Sequence, residues 1–164
     1  MTEERTEERT DERESGPNAA HRRPDGVNDA TVEALGKLSE ALEVAEVARG
    51  HLYMFHRRCG TADLTLGDAV QQLRDAGHAE IADRIDRELV GRNVVPGHWS
   101  FQLVEAYDDE YYALFRQLEQ AARDQLVQGR RHLYEAEMKE RRRSAGRPGH
   151  EATPEELPGV TGAR

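Results

Sequence analysis

The sequence predicts an all-α fold: two long antiparallel helices with two short helices between them, and disordered tails at both ends. Three observations lead to this fold class. Charged residues make up 34% of the 164 residues and aromatic residues only 5%, a composition that favours helix over sheet. Apolar residues recur every three or four positions over long stretches. No run alternates between apolar and polar residues for the length of a strand.

The first long helix is predicted to begin at Asp29 and to end at Gly60. Asn28 and Asp29 are both suitable N-caps, because their side chains accept hydrogen bonds from free backbone N–H groups. Glycine is common just past the end of a helix. Between these ends the apolar residues follow a period close to 3.6, at Val32, Leu35, Leu38, Leu42, Ala45, Ala48, Leu52 and Phe55.

Two short helices are predicted next, joined by a tight corner at residues 76–78. The first has an apolar stripe from Leu66 to Leu73 and ends at Gly77. The second includes Ile81 and Ile85 and ends at Gly91.

The second long helix is predicted from Ser100 to Arg143. Pro96 and Gly97 exclude a helix interior before it, and Ser100 is a plausible N-cap. Gly129 weakens the helix by about 1 kcal/mol relative to alanine and marks a kink or a close contact.

Three regions follow from this pattern: an acidic tail over 1–28, one helical domain over 29–143 and a Gly/Pro-rich tail over 144–164. The first tail repeats the motifs TEER, TEER and TDER, and these repeats offer no apolar residue to bury. A folded part of this size can form its own core, although a modest one.

The net charge of −9 argues against nucleic acid and anionic membranes as partners, because like charges repel. Cys59 is the only cysteine, so an intrachain disulfide is excluded. The N-terminus does not resemble a signal peptide, and no stretch has the roughly 20 apolar residues that span a bilayer. We therefore expect a cytoplasmic protein that does not insert into membranes.

One candidate ligand site emerges where polar residues interrupt the apolar stripes of the two long helices. The segment RGHLYMFHRRCG, residues 49–60, places His56 in the centre of its stripe, while His51 lies near the opposite edge. An antiparallel arrangement would bring together Arg49, Tyr53, His56, Gln125 and His132. This cluster is either a ligand or metal site or, as we favour, a hydrogen-bonded cluster that fixes the register of the helices.

Metal and catalytic chemistry find little support. A di-iron bundle needs Glu-x-x-His on two helices, and none of the predicted helices contains it. Cys59 lies at a predicted helix C-terminus, where the helix dipole opposes a thiolate. In the motif YDDEYY we expect Tyr107 and Tyr111 to be core aromatics, with Asp108 and Asp109 on a solvated face. Neither catalytic residues nor a cofactor are expected.

Two further features leave alternatives open. Trp99 is either an exposed partner anchor or, as we favour, a cap on the core at a helix junction. A nucleic-acid contact is the alternative role of the basic C-terminal helix end, although the helix dipole also favours cations there. Its cationic residues are Arg130, Arg131, Lys139, Arg141, Arg142, Arg143 and Arg147.

The stretches GHLYMFH, VGRN, GHWSFQLVE, YEAEMKERRR and GRPGHE resemble small uncharacterised all-helical proteins of actinobacteria, over about Val44 to Glu151. This resemblance implies no activity and no role for any residue. The sequence as a whole predicts a non-enzymatic interaction protein that associates through a helix face, either as a homodimer or with a partner protein. The alternatives are a ligand or metal binder centred on His56 and His132 and a nucleic-acid-associated protein.

Overall fold

A computed structural model describes residues 16–152, and within this range the chain is all-α, as the sequence predicts. The helices are α1 (Asp29–Asp75), α2 (Ala79–Glu88), α3 (Ser100–Ala106), α4 (Ala113–Val127) and α5 (Leu133–Arg142). A π-helical segment, Tyr107–Tyr112, joins α3 to α4, and a 3-10 turn, Ala19–His21, precedes α1. The TEER repeats and residues 153–164, which the sequence predicts to be disordered, lie outside the described residues.

Contacts divide the chain into two compact units. Within the described residues, the terminal unit comprises 16–40 and 118–152, and the central unit comprises 41–117. The predicted single domain over 29–143 stays a prediction.

Helix α1 is much longer than predicted, because Gly60 does not end it. A single glycine costs a helix only about 1 kcal/mol, and the residues after it continue a helical apolar stripe. The first predicted short helix is therefore the last part of α1. The helix ends before Gly77, whose φ of 86° breaks the helical path. Its start agrees with the sequence, since the Asn28 side chain accepts the Thr31 N–H at 2.8 Å.

Helix α2 packs in the central unit, with Ala82 fully buried. Arg74 at the end of α1 donates to Asp83 at 3.0 Å and to Asp86 at 2.7 Å on α2. These two carboxylates raise the pKa of Arg74. The N–H of Gly91 donates to Asp63 of α1 at 2.7 Å, which ties the end of the α2 segment to that helix.

The second predicted long helix is interrupted between α4 and α5. Gln128, Gly129 and His132 all adopt positive φ, and the Gly129 N–H bonds to the Arg123 carbonyl at 3.0 Å, which closes the end of α4. The turn allows Val127 and Leu133 on either side of it to be buried together with Val32 and Leu35, in the core of the terminal unit. Tertiary burial therefore outweighs helix continuity here.

Residues 16–28 are ordered in the structure, although the sequence predicts that they are disordered. Pro24 is buried, and Val27 packs against the core of the terminal unit. Arg23 makes two hydrogen bonds of 2.8 Å with Glu137 of α5 and one of 2.6 Å with Asp29, and these contacts raise the Arg23 pKa. The prediction of disorder considered burial alone and missed this bidentate ion pair.

Candidate functional site

The most connected polar cluster of the central unit lies where the π-helical segment faces α1. A π-helix inserts an extra residue into the helical path and is often found at functional sites. Here it carries the motif YDDEYY, whose side chains meet those of α1 at Glu46, Arg49 and Tyr53. We call Glu46, Arg49, Tyr53, Asp108 and Tyr112 the Arg49 cluster.

A bidentate ion pair forms the centre of the Arg49 cluster. Arg49 Nε donates to one Asp108 oxygen at 2.6 Å, and its Nη2 donates to the other at 2.8 Å. The Tyr53 hydroxyl also donates to Asp108, at 3.1 Å. Hydrogen bonding from Arg49 holds the pKa of Asp108 below its ordinary value, and the carboxylate raises the pKa of Arg49 in turn. The prediction that Asp108 lies on a solvated face is wrong, because its register assumed a regular α-helix.

Aromatic rings surround the same guanidinium group. Arg49 lies 4.7 Å from the centre of the Tyr53 ring and 5.1 Å from that of Tyr112, both within cation–π range. The Tyr112 hydroxyl donates to Glu46 at 2.9 Å, and this bond raises the pKa of Tyr112. The polar groups of the cluster are thus directed at one another, which is the arrangement of a polar network that holds two helices together.

The contacts along this interface show that α1 is antiparallel to the segment that runs from α3 into the π-helix, within the central unit. The Ala45 carbonyl accepts the Tyr107 hydroxyl at 2.9 Å, and His56 Nδ1 lies 2.9 Å from Ser100 Oγ. Along α1, Arg49 lies between Ala45 and His56, and its partner Asp108 directly follows Tyr107. The polar contacts therefore fix the register of the two segments.

The five residues of the predicted ligand site do not form one cluster in a single unit. Arg49 and Tyr53 contact each other, at 3.1 Å, and His56 is half-buried as expected. Gln125 and His132 belong to the terminal unit, and both are exposed. Their placement on one apolar stripe is wrong, because the helix ends at Val127.

Glu119 of α4 is a buried charged residue that the sequence does not predict, and it is only 2% exposed. It accepts a hydrogen bond from Ser39 of α1 at 2.9 Å and forms an ion pair with Arg123 one turn later on α4. The Arg123 Nε atom is buried and has no partner. The four-residue spacing of Glu119 and Arg123 could have indicated the pair, but nothing in the sequence indicates its burial.

A small cavity lies beside this pair in the terminal unit. It is lined by Gly36, Ser39, Arg123, His132 and other residues, and it has about 20 Å³ free for water-sized molecules. That volume holds about one water molecule. The cavity is too small for an organic ligand, so it does not support the predicted role of His132 in ligand binding.

Three aromatic and cysteine predictions have mixed outcomes. Trp99 is 58% exposed and packs its ring 5.3 Å from that of Phe101, so the prediction that it caps the core is wrong. Tyr107 is half-buried, whereas Tyr111 is exposed and is not a core aromatic. Cys59 is half-buried within α1, and the predicted helix C-terminus at this position does not exist.

Some of the basic C-terminal residues are held by contacts within the chain, and others are exposed. Arg130 donates to the Arg22 carbonyl, and Arg143 is paired with Glu140. Arg131, Lys139, Arg141, Arg142 and Arg147 are exposed. The alternative of nucleic-acid binding stays a prediction.

Over residues 16–152 we find no group of three or more His, Cys, Asp or Glu side chains that could hold a metal ion. None of the helices in this part of the chain is long and apolar enough to cross a membrane. Comparison of the chain with protein-family models, with curated proteins and with solved structures finds no match.

Proposed function

We propose that this chain is an interaction protein that associates with another polypeptide through one face of α1. The face consists of Val44, Val47, His51, Met54 and Phe55, which we call the α1 stripe. All five residues are exposed, Val44 and Val47 by 65% and 61%. This exposed row, made of four large apolar side chains with His51 among them, is the observation that carries the proposal.

The α1 stripe is distinct from the surface that α1 uses inside the central unit. At 100° per residue its members fall within an arc of about 100°. The residues that contact the π-helical run, Ala45, Glu46 and Arg49, lie on roughly the opposite side of the helix. The spacing of three and four residues from Val44 through Val47 and His51 to Met54 is that of a helix seam in coiled coils.

The core of the chain cannot account for this second apolar face. Among the described residues only eight hydrophobic side chains are buried, and seventeen large ones are exposed. Scattered exposed hydrophobic residues are ordinary, but a contiguous row is typical of an interaction surface. Burying such side chains gains roughly 25 cal/mol per Å² of apolar area, which favours pairing with a second apolar helix.

The proposal is tested by measuring how fast a thiol on the α1 stripe reacts. Cys59→Ser removes the natural thiol, and Val47→Cys then introduces one on the stripe. Leu64→Cys is the matched control, because Leu64 is an exposed apolar residue on another face of the same helix. Maleimide labelling of the full chain is followed in the cells that make it and in the purified protein.

We expect labelling at residue 47 to be slowed at least severalfold in the cell, relative to its rate in unfolded protein, while residue 64 is not slowed. Such a difference means that a partner covers the stripe. Equal labelling of the two positions, in cells and at every concentration of the purified protein, would refute the proposed function.

A further inference from the structure

We infer that the partner of the α1 stripe is a second copy of this chain, with the two α1 helices antiparallel about a two-fold axis between Gly50 and His51. This inference rests on the proposed function and names its partner and geometry. In such a dimer each contact occurs twice, because the same surface is used by both copies.

Charge complementarity is the argument for this partner. Glu43 lies beside one end of the stripe and Arg58 beside the other, and both are exposed. Neither side chain has a hydrogen bond or an ion pair with any other residue of the described part of the chain. An antiparallel pair with its axis at residues 50–51 places Glu43 of each copy opposite Arg58 of the other.

The apolar residues match in the same register. Val47 lies opposite Met54 across the axis, because the two residues are equally distant from it. At the axis itself, a Cβ atom at Gly50 would have nothing within 4 Å, so the surface there is open. Glycine at that point lets the backbones approach closely, where helices normally pack 8–10 Å apart.

A parallel pair of the same faces has no such match. It would place Glu43 beside Glu43 and Arg58 beside Arg58, and like charges at close range repel. One charge pattern therefore favours the antiparallel dimer and opposes the parallel one.

Disulfide trapping tests the register directly. All variants are made in the full-length chain with Cys59→Ser. A mixture of V47C and M54C chains is expected to form disulfide-linked dimers that contain one copy of each. V47C alone is expected to link poorly, since its two copies would be offset by about 10 Å along the helix axis. Efficient linkage of V47C with itself would instead indicate parallel pairing and overturn the inference.

Charge reversal tests the ion pairs independently of the added thiols. We expect E43R and R58E each to raise the dimer dissociation constant about tenfold in sedimentation experiments, because two attractive contacts become repulsive. The double variant E43R/R58E restores attraction and should return close to the wild-type value. Loss of dimerisation in the double variant equal to that in either single variant would overturn the predicted contact.

A different partner is distinguishable from a failure of the proposed function. If the purified chain stays monomeric at all concentrations while residue 47 is protected in the cell, a foreign protein covers the stripe and only this inference is overturned. If residue 47 is unprotected in both settings, the proposed function fails as well.

Discussion

Replacing Glu119 tests whether the buried ion pair of the terminal unit stabilises the fold. Glu119→Ala removes the acceptor of Ser39 and, among residues 16–152, the only carboxylate that contacts Arg123. The Arg123 side chain is only 15% exposed, and its Nε already has no partner. The substitution therefore leaves a largely buried cation uncompensated.

The size of the effect follows from burial. Removing one member of a buried ion pair typically costs about 3–5 kcal/mol of unfolding free energy. Arg123 retains some exposure and a 3.3 Å contact with Gln120, so we expect the lower end of that range, about 3 kcal/mol. Replacing both charges, as in E119L/R123L, should bring the protein to within about 1 kcal/mol of wild type, since apolar residues substitute well for a buried pair.

Urea unfolding followed by circular dichroism at one fixed protein concentration measures these differences. Wild type, the single variants E119L and R123L and the double variant E119L/R123L form a double-mutant cycle. E119A is measured beside them. The reasoning is refuted if the double variant loses as much stability as the two single variants together, because the charges would then act independently.

Three further predictions concern other sites. The pKa of Asp108 is lower in the folded state than in the unfolded state, where it is about 4. The stabilisation from its pair with Arg49 should therefore be complete above about pH 4 and be lost as the pH falls through the folded-state pKa. The stability gap between wild type and D108N in urea titrations should therefore close in acid, and a gap constant with pH would contradict this. Gly60→Ala should stabilise α1 by up to about 1 kcal/mol, because an added Cβ meets only open space. The matched change Gly36→Ala should gain less or destabilise, since its Cβ would lie 3.1 Å from a tyrosine ring, and equal thermal shifts would show that this contact is absent. The single Trp99 should be readily quenched by acrylamide in the monomer, and a strongly protected, blue-shifted emission would contradict its exposure.

Regular helix could be predicted from the sequence, but the places where helices end could not. Period and composition predict helix over most of residues 29–91 and 100–143. Helix α2 ends at Glu88, three residues before the predicted Gly91, whereas Gly77 ends a helix as predicted. Gly60 does not, although it is the same residue type. The difference depends on whether burial on either side favours a turn, and a single-sequence pattern does not contain that information.

Part of the candidate site was accessible to sequence reasoning because it lies on one helix. Arg49 and Tyr53 are four residues apart and contact each other as that spacing predicts. Their partner Asp108 was assigned to solvent, since a π-helical segment changes the phase of every residue within it. The prediction for Gln125 and His132 assumed one unbroken helix, whereas α4 ends at Val127, and their part in a ligand site stays a prediction.

Photo-crosslinking from residue 47 is the most direct test of the claim that the α1 stripe is an association surface. A photoreactive amino acid replaces Val47, or Leu64 as the control, in the full-length chain inside its own cells. We predict an adduct from position 47 with twice the mass of the 18.5 kDa chain, and none from position 64. Irradiation that yields no adduct from position 47, or the same adducts from both positions, would contradict the claim.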